Sequence, residues 1–185
     1  MKKWKFGLSS MLLGFMMLVG MIGNPSEAEA ATKVFHNKAK EYSMTIPMDW
    51  GFQDAGDGVE MLYSGDQTLM IVTTWESMPR KDKHGTYLFD EVQGKESYDL
   101  LEDIKGGFLS SFGGDLKISE ASYIKLNSGR TAVFMEVNHP EAGPMVGLVL
   151  FRGNEALLML GAGDNARRMA RGKEQIIEIF MSLKA

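Results

Sequence analysis

Residues 145–161, which read MVGLVLFRGNEALLMLG, decide the fold class. Two apolar runs, Met145 to Arg152 and Glu155 to Gly161, flank the dipeptide Gly153-Asn154. Two such runs separated by two turn-forming residues are typical of a tight β-hairpin. Because strands joined by a tight hairpin run antiparallel, this stretch predicts two neighbouring antiparallel strands near the end of the chain.

A second hairpin and two helices surround this one in the sequence. Residues 116–126 and 130–138 flank the short loop Asn127-Ser128-Gly129 and predict the second hairpin. Apolar residues recur at three- and four-residue steps over 98–112 and 165–183, which is the period of an amphipathic helix. The doubled glycine at 106–107 inside the first pattern predicts a bend or a close neighbour there.

The first half of the chain predicts strands near 34–35 and over 42–47, 59–63 and 68–76. The stretch 48–58, rich in Gly and Asp, predicts a loop, and the charged stretch 77–85 predicts an exposed loop. Hairpin strands, a helix, more hairpin strands and a last helix predict an α+β fold. Its central antiparallel sheet would be flanked by helices.

The first 30 residues have the layout of a secretory signal peptide. Three lysines within the first five residues precede the uncharged segment 6–22, and Ala28-Glu29-Ala30 provides small residues for a peptidase. That segment is short for a membrane span, which needs about 20 apolar residues. We expect cleavage after Ala30, although an uncleaved membrane anchor is the alternative. One domain, 31–185, would then work in the periplasm, at the cell surface or after secretion.

Composition excludes several classes of function. The predicted signal peptide takes three of the 20 cations and two of the 24 anions, which leaves 17 and 22 and a net charge of −5. An acidic exported domain is a poor nucleic-acid binder. The chain has no cysteine, which removes disulfides, thiolate catalysis and Cys-based zinc sites, and it has only three histidines. The sequence therefore predicts no cofactor and no metal centre.

The stretch YSMTIPMDW, residues 42–50, resembles the PsbP/DcrB-like superfamily of exported proteins through Ile46-Pro47-x-x-Trp50. The order of elements over about residues 33–183 resembles that superfamily as well. The resemblance implies a PsbP-like α/β/α sandwich and mostly non-catalytic accessory roles. From the residues themselves, Trp50 predicts a plug at one end of the core, and stacking on a ligand is the alternative.

Four cations crowd the start of the last predicted helix: Arg167, Arg168, Arg171 and Lys173. Cations there oppose the helix dipole, by about 0.3–1 kcal/mol each. Arginine binds phosphate or carboxylate in bidentate fashion, so the cluster predicts a patch for an anionic envelope component or an acidic partner. The alternative is a solvated face with ion pairs to Glu174 and other acids.

Residues 161–166, GAGDNA, match the G-x-G-x-x-A pattern of dinucleotide-binding turns. The chain ends 19 residues later, too soon for the second parallel strand and the acidic ribose contact of such a fold. The alternative is a glycine turn that ends in Asp164 or Asn165 as the helix N-cap.

The remaining candidate chemistry is sparse. Glu136 and His139 are the best acid–base candidates, but strand alternation points them to opposite faces. Met44 and Met48 form the one pair suited to Cu(I), against the alternative of core filling. The sequence therefore predicts an exported, non-catalytic accessory or binding protein of the cell envelope. A small exported enzyme, such as a hydrolase, and a metal-binding protein are the alternatives.

Overall fold

The computed structural model describes residues 31–37, 40–76, 98–113, 115–152 and 155–185. The predicted signal peptide, the loop predicted over 77–85 and the turn Gly153-Asn154 lie outside these residues. Over the described part, the chain forms, in order, β1 (Thr32–Asn37), β2 (Tyr42–Pro47), β3 (Gly51–Gly56), β4 (Val59–Tyr63), β5 (Leu69–Glu76), α1 (Tyr98–Phe112), β6 (Lys117–Lys125), β7 (Thr131–His139), β8 (Gly143–Arg152), β9 (Glu155–Gly163) and α2 (Ala166–Met181).

Seven strands form one sheet in the order β3-β4-β5-β9-β8-β7-β6, and every pairing in it is antiparallel. The two predicted hairpins are β6–β7 and β8–β9, so both predictions are confirmed. Strands β8 and β9 lie near the middle and are buried along most of their length on both faces. That position explains why they read as continuous apolar runs rather than as an alternation. The predicted α+β class is confirmed.

The two helices cover opposite faces of the sheet. On one face, the Phe108 ring of α1 lies so close to Gly147 of β8 that an added β-carbon would be 2.6 Å from it. On the other face, Ile176 of α2 lies against Gly161 of β9, 2.4 Å from the corresponding position. Each helix therefore has its own buried apolar cluster beneath it, and the layers are helix, sheet and helix.

Strands β1 and β2 form a separate two-stranded ribbon on the α2 face. The inward side chains Tyr42, Met44 and Ile46 of β2 are buried in the same cluster as α2. Ser43 of β2 exchanges backbone hydrogen bonds with Lys184, at 2.8 and 2.9 Å. The C-terminal residues therefore occupy the edge of β2 that faces away from β1.

The loop predicted over 48–58 is wrong, because residues Gly51–Gly56 form strand β3. This strand is one of the two edges of the sheet and, among the described residues, pairs with β4 alone. Phe52, Gln53 and Asp54 are exposed, and the register shifts between Asp54 and Gly56. An edge strand that buries little needs no apolar alternation, so its glycines and acids resemble those of a loop.

Candidate functional site

Helix α2 begins immediately after the glycine-rich turn that follows β9. The side chain of Asn165 accepts a hydrogen bond from the backbone N–H of Arg168 at 3.0 Å, which makes Asn165 the N-cap. Strand β9 is antiparallel to both of its neighbours, β5 and β8. The motif at 161–166 is therefore a capped glycine turn, which was the alternative to a dinucleotide site.

The structure divides the four predicted cations into two groups. Lys173 donates to Glu136 Oε1 of β7 at 2.5 Å, so its charge is paired within the fold. The side chains of Arg167, Arg168 and Arg171 are exposed, and none makes an ion pair or a hydrogen bond with another described residue. We call these three residues the arginine patch.

A tightly bonded turn between β4 and β5 lies beside the patch. The Asp66 carboxylate accepts hydrogen bonds from the Ser64 hydroxyl at 2.6 Å, the Thr68 N–H at 3.1 Å and the Thr68 hydroxyl at 2.9 Å. The Thr68 carbonyl in turn accepts from the Asp164 N–H at 2.8 Å. This last bond joins the turn to the start of α2.

The two carboxylates of this region respond to Arg168. Burial alone would raise the pKa of Asp66, but hydrogen bonds from Ser64 and Thr68, with the charge of Arg168, lower it below its usual value. Burial raises the pKa of Asp164, and the Arg168 charge opposes that shift. Arg168 is thus partly compensated by two acids, whereas no corresponding effect of Arg167 or Arg171 acts on them.

Asp66→Asn is expected to lower the free energy of unfolding by about 1 kcal/mol at neutral pH, because hydrogen bonds to a charged acceptor are the stronger ones. The folded-state pKa of Asp66 lies below its unfolded value. Its contribution is therefore present above the unfolded pKa and is lost as the pH falls through the folded pKa. Urea unfolding of both proteins at a series of acidic to neutral pH values measures this.

Asp164→Asn serves as the matched control for this pH effect. The raised pKa of Asp164 means that ionisation of this group disfavours the folded state, so the variant should lose no stability at neutral pH. A loss in Asp66→Asn that stays the same across the whole pH range would contradict the assigned role of the carboxylate.

The other predicted site residues lie apart from the patch. Trp50 is 2% exposed and belongs to the core, as the plug interpretation predicts. Glu136 faces α2 through Lys173, whereas His139 Nδ1 accepts backbone N–H bonds from Glu141 at 3.2 Å and Ala142 at 3.0 Å. The two acid–base candidates therefore serve different local structures.

The proposed methionine pair is also divided, since Met44 is 1% exposed and Met48 is 57% exposed. Within the described ranges, no group of three or more His, Asp or Glu side chains is placed to hold a metal ion. No helix in those ranges is both long and apolar enough to cross a membrane.

Sequence reasoning missed a polar cluster under the ribbon. The Glu60 carboxylate of β4 accepts hydrogen bonds from Asn37, Tyr42 and Thr73, the last at 3.2 Å. Burial, together with the hydrogen bond to Glu60, raises the pKa of Tyr42 above its usual range. Glu60 occupies the same face of β4 as the fully buried Leu62. An acid at an inward-facing position of a strand was therefore the feature of the sequence that could have predicted this polar cluster.

Arg152 of β8 also contacts the region between the ribbon and the sheet. Its guanidinium lies over the Trp75 ring, 4.5 Å from the centroid, and its Nη1 donates to the Lys40 carbonyl at 2.9 Å. These contacts, like those of Glu60, join the ribbon to the sheet. We therefore assign this cluster to the stability of the ribbon.

The architecture is similar to that of cyanobacterial PsbP (CyanoP) from Synechocystis sp., with a TM-score of 0.57 and 12% sequence identity over 89% of this chain and 98% of that chain. The chain has the PsbP-like fold. The resemblance that residues 42–50 indicated is thereby confirmed for the architecture. No family model matches the chain, and no curated protein matches it in sequence.

Two further solved structures with weaker similarity come from other bacteria. A Bacteroides thetaiotaomicron protein has a TM-score of 0.42 and 14% identity, over 83% of this chain and 48% of that chain. A Pseudomonas aeruginosa protein of unknown function has a TM-score of 0.40 and 11% identity, over 83% of this chain and 96% of that chain.

Proposed function

We propose that this PsbP-like protein is an exported, non-catalytic accessory protein of the cell envelope that binds an anionic partner through the arginine patch. One observation carries the proposal: three exposed guanidinium groups make no ion pair with any described residue of an acidic chain. A guanidinium offers a planar set of donors that fits carboxylate or phosphate groups. The PsbP-like fold supports the accessory role, because the resemblance implies mostly non-catalytic proteins.

The patch differs from an ordinary solvated face. Nearby acids are present, but Glu136 pairs with Lys173, and Asp66 and Asp164 lie under the influence of Arg168. Arg167 and Arg171 are spaced by four residues and lie on the same side of α2. Arg167 stands in the first turn of the helix, where a cation costs about 0.3–1 kcal/mol, and no ion pair or hydrogen bond with another described residue offsets that cost.

Export is part of the proposal. The protein would lose residues 1–30 and act outside the cytoplasm, either free or attached to an envelope component. The intact mass of the protein recovered from its own host should correspond to a chain that starts at Ala31. A full-length mass in the membrane fraction would instead indicate an anchored protein.

The triple variant Arg167→Glu/Arg168→Glu/Arg171→Glu is expected to weaken capture of envelope components by the tagged protein. Association of the native protein should also fall as salt rises, because the Debye length is about 8 Å at physiological ionic strength. Pull-down from the native envelope at low and high salt measures both effects, and thermal unfolding verifies that the variant is folded.

The matched control is Lys117→Glu/Lys125→Glu/Lys184→Glu, which changes the net charge equally at three exposed positions away from the patch. It should retain association at low salt. Equal association of the two triple variants at low salt would overturn the assignment of the patch. Residues 48–58 near Trp50 would then be the candidate binding surface.

A further inference from the structure

Among the described residues, the backbone hydrogen bonds of the ribbon leave one strand edge without a partner strand. Ser43 of β2 directs its N–H and C=O to Lys184, away from β1. In an antiparallel pair this direction alternates along the strand, so His36, which faces Ser43, directs its own backbone groups away from β2. The same alternation applies to Val34 and Thr32. The Ala31 carbonyl, which accepts from the Met48 N–H at 2.8 Å, fixes the opposite direction for the residues between them.

The outward groups of Thr32, Val34 and His36 constitute what we call the β1 edge. All three residues are exposed, Val34 to 57%, and none has a hydrogen bond beyond the β1–β2 ladder within the described residues. Backbone donors and acceptors aligned in an open strand form a template for another strand. Lys33 does not protect this edge, because its Nζ turns to the Met48 carbonyl at 3.0 Å and the Trp50 carbonyl at 2.8 Å.

The two edge strands of the seven-stranded sheet, β3 and β6, differ from the β1 edge because both are protected against pairing with another strand. Strand β3 has a register shift next to the exposed Asp54, and β6 has one between Ile118 and Glu120. Exposed lysines stand at both ends of β6. Bulges and edge charges are the usual devices that prevent strands from pairing with other chains. The register of β1 with β2 is continuous, and the outward positions carry no acid and no lysine.

We propose that the β1 edge pairs antiparallel with the β1 edge of a second copy of this chain, around a two-fold axis at Val34. In this register Val34 faces the partner's Val34, and Thr32 faces the partner's His36. Antiparallel pairing requires an outward residue opposite an outward residue, and the three positions satisfy that condition symmetrically. Every outward N–H and C=O of the edge then gains a partner.

The side chains along the β1 edge also favour a second copy of this chain as the partner. Val34 already faces Thr45 across the ribbon. The two-fold register extends this pair into a row of four β-branched residues, Thr45, Val34 and their two counterparts, and such cross-strand pairs stabilise a sheet. No like charges are placed opposite one another. A second copy therefore fits the edge in backbone phase, in side-chain shape and in charge.

Cysteine cross-linking tests the register, because the native chain has no cysteine. The two Val34 α-carbons would be about 5.5 Å apart in this hydrogen-bonded pair, a separation that a disulfide spans. Val34→Cys should give a covalent dimer under mild oxidation, seen on a non-reducing gel of the protein purified from its host. Met48→Cys, equally exposed at 57%, is the matched control and should remain monomeric. Equal cross-linking of the two variants would overturn the proposal.

A charge exchange provides an independent test. Val34→Lys and Val34→Glu should each be monomeric in sedimentation, because like charges would stand opposite each other, and their mixture should form a heterodimer. Val34→Pro removes an outward N–H and no hydrogen bond of the β1–β2 ladder, so it should abolish the dimer and still unfold in one cooperative transition. A native protein that stays monomeric at all soluble concentrations overturns self-pairing. If Val34→Pro at the same time loses a captured envelope protein, the edge binds that protein instead.

The β1 edge and the arginine patch lie on different elements and can be tested separately. The arginine patch lies at the start of α2, and the β1 edge lies on the ribbon. Val34→Cys should therefore cross-link equally well in the triple arginine variant. Loss of envelope capture with retained cross-linking, or the reverse, assigns a failure to one proposal alone.

Discussion

Trp50→Ala is expected to lower the free energy of unfolding by about 3–5 kcal/mol, the cost of removing a large aromatic side chain from a core. Trp50 is 2% exposed and is among the largest fully buried side chains. It lies in the same buried cluster as Ile46 of the ribbon and Phe180 of α2. Alanine would leave a cavity where the ribbon, sheet and helix meet. Urea unfolding followed by far-ultraviolet circular dichroism measures the loss without depending on tryptophan fluorescence.

Phe52→Ala is the matched control for Trp50→Ala. Phe52 lies two positions further along the chain and is 43% exposed, with its ring 4.9 Å from that of Phe35. Its loss should cost less than about 1 kcal/mol, as most surface changes do. A cost of the same small size for Trp50→Ala would show that the indole contributes little to the core, and would favour stacking on a ligand.

The parts of the fold that could be predicted are those that bury a periodic apolar surface. The β8–β9 hairpin was predicted because both strands lie deep in the sheet and contain almost nothing but apolar residues. Helix α2 was predicted from the spacing of residues such as Met169, Ile176 and Phe180, which the structure buries. Strand β3 was not predicted, because an edge strand with a bulge buries too little side-chain surface to show an alternation of apolar and polar residues.

The candidate site could be predicted only in part, for a related reason. Spacing along one helix identified the arginines, because neighbours on a helix face are neighbours in sequence. The partners that distinguish the four cations come from other elements: Glu136 of β7 accepts from Lys173, and the charge of Arg168 lowers the pKa of Asp66 in the β4–β5 turn. Such contacts depend on the order of strands in the sheet, which no local spacing encodes.

The G-x-G-x-x-A pattern illustrates how packing can imitate a binding motif. A β-carbon at Gly161 would lie 2.4 Å from a methyl carbon of Ile176, so helix α2 requires a glycine there. Ala166, the last position of the pattern, packs against Gly143, whose added β-carbon would be 3.1 Å from the Ala166 β-carbon. A strand that enters a helix at close range needs small residues whether or not a ligand is bound.

Gly163→Ala is expected to lower the free energy of unfolding by about 2–4 kcal/mol, through overpacking and disturbance of the Asn165 cap. Its β-carbon would lie 2.6 Å from the Met169 nitrogen, 2.9 Å from the Met169 α-carbon and 3.1 Å from the Asn165 carbonyl oxygen. All three atoms belong to the backbone, so no rotamer change relieves the clash and the first turn of α2 must move. Urea unfolding measures the loss of stability.

Gly106→Ala is the matched control, since no atom of the described part of the chain lies within 4 Å of the added β-carbon in the middle of α1. Close packing is therefore not the reason for glycine at this position, contrary to one of the two predicted explanations. Alanine there should raise the free energy of unfolding by about 0.5–1 kcal/mol through helix propensity.

Since the arginine patch stands on the turn that Gly163→Ala displaces, that variant should also weaken envelope capture at low salt, and Gly106→Ala should not. A Gly163→Ala protein as stable as Gly106→Ala would contradict the close approach of α2 to β9.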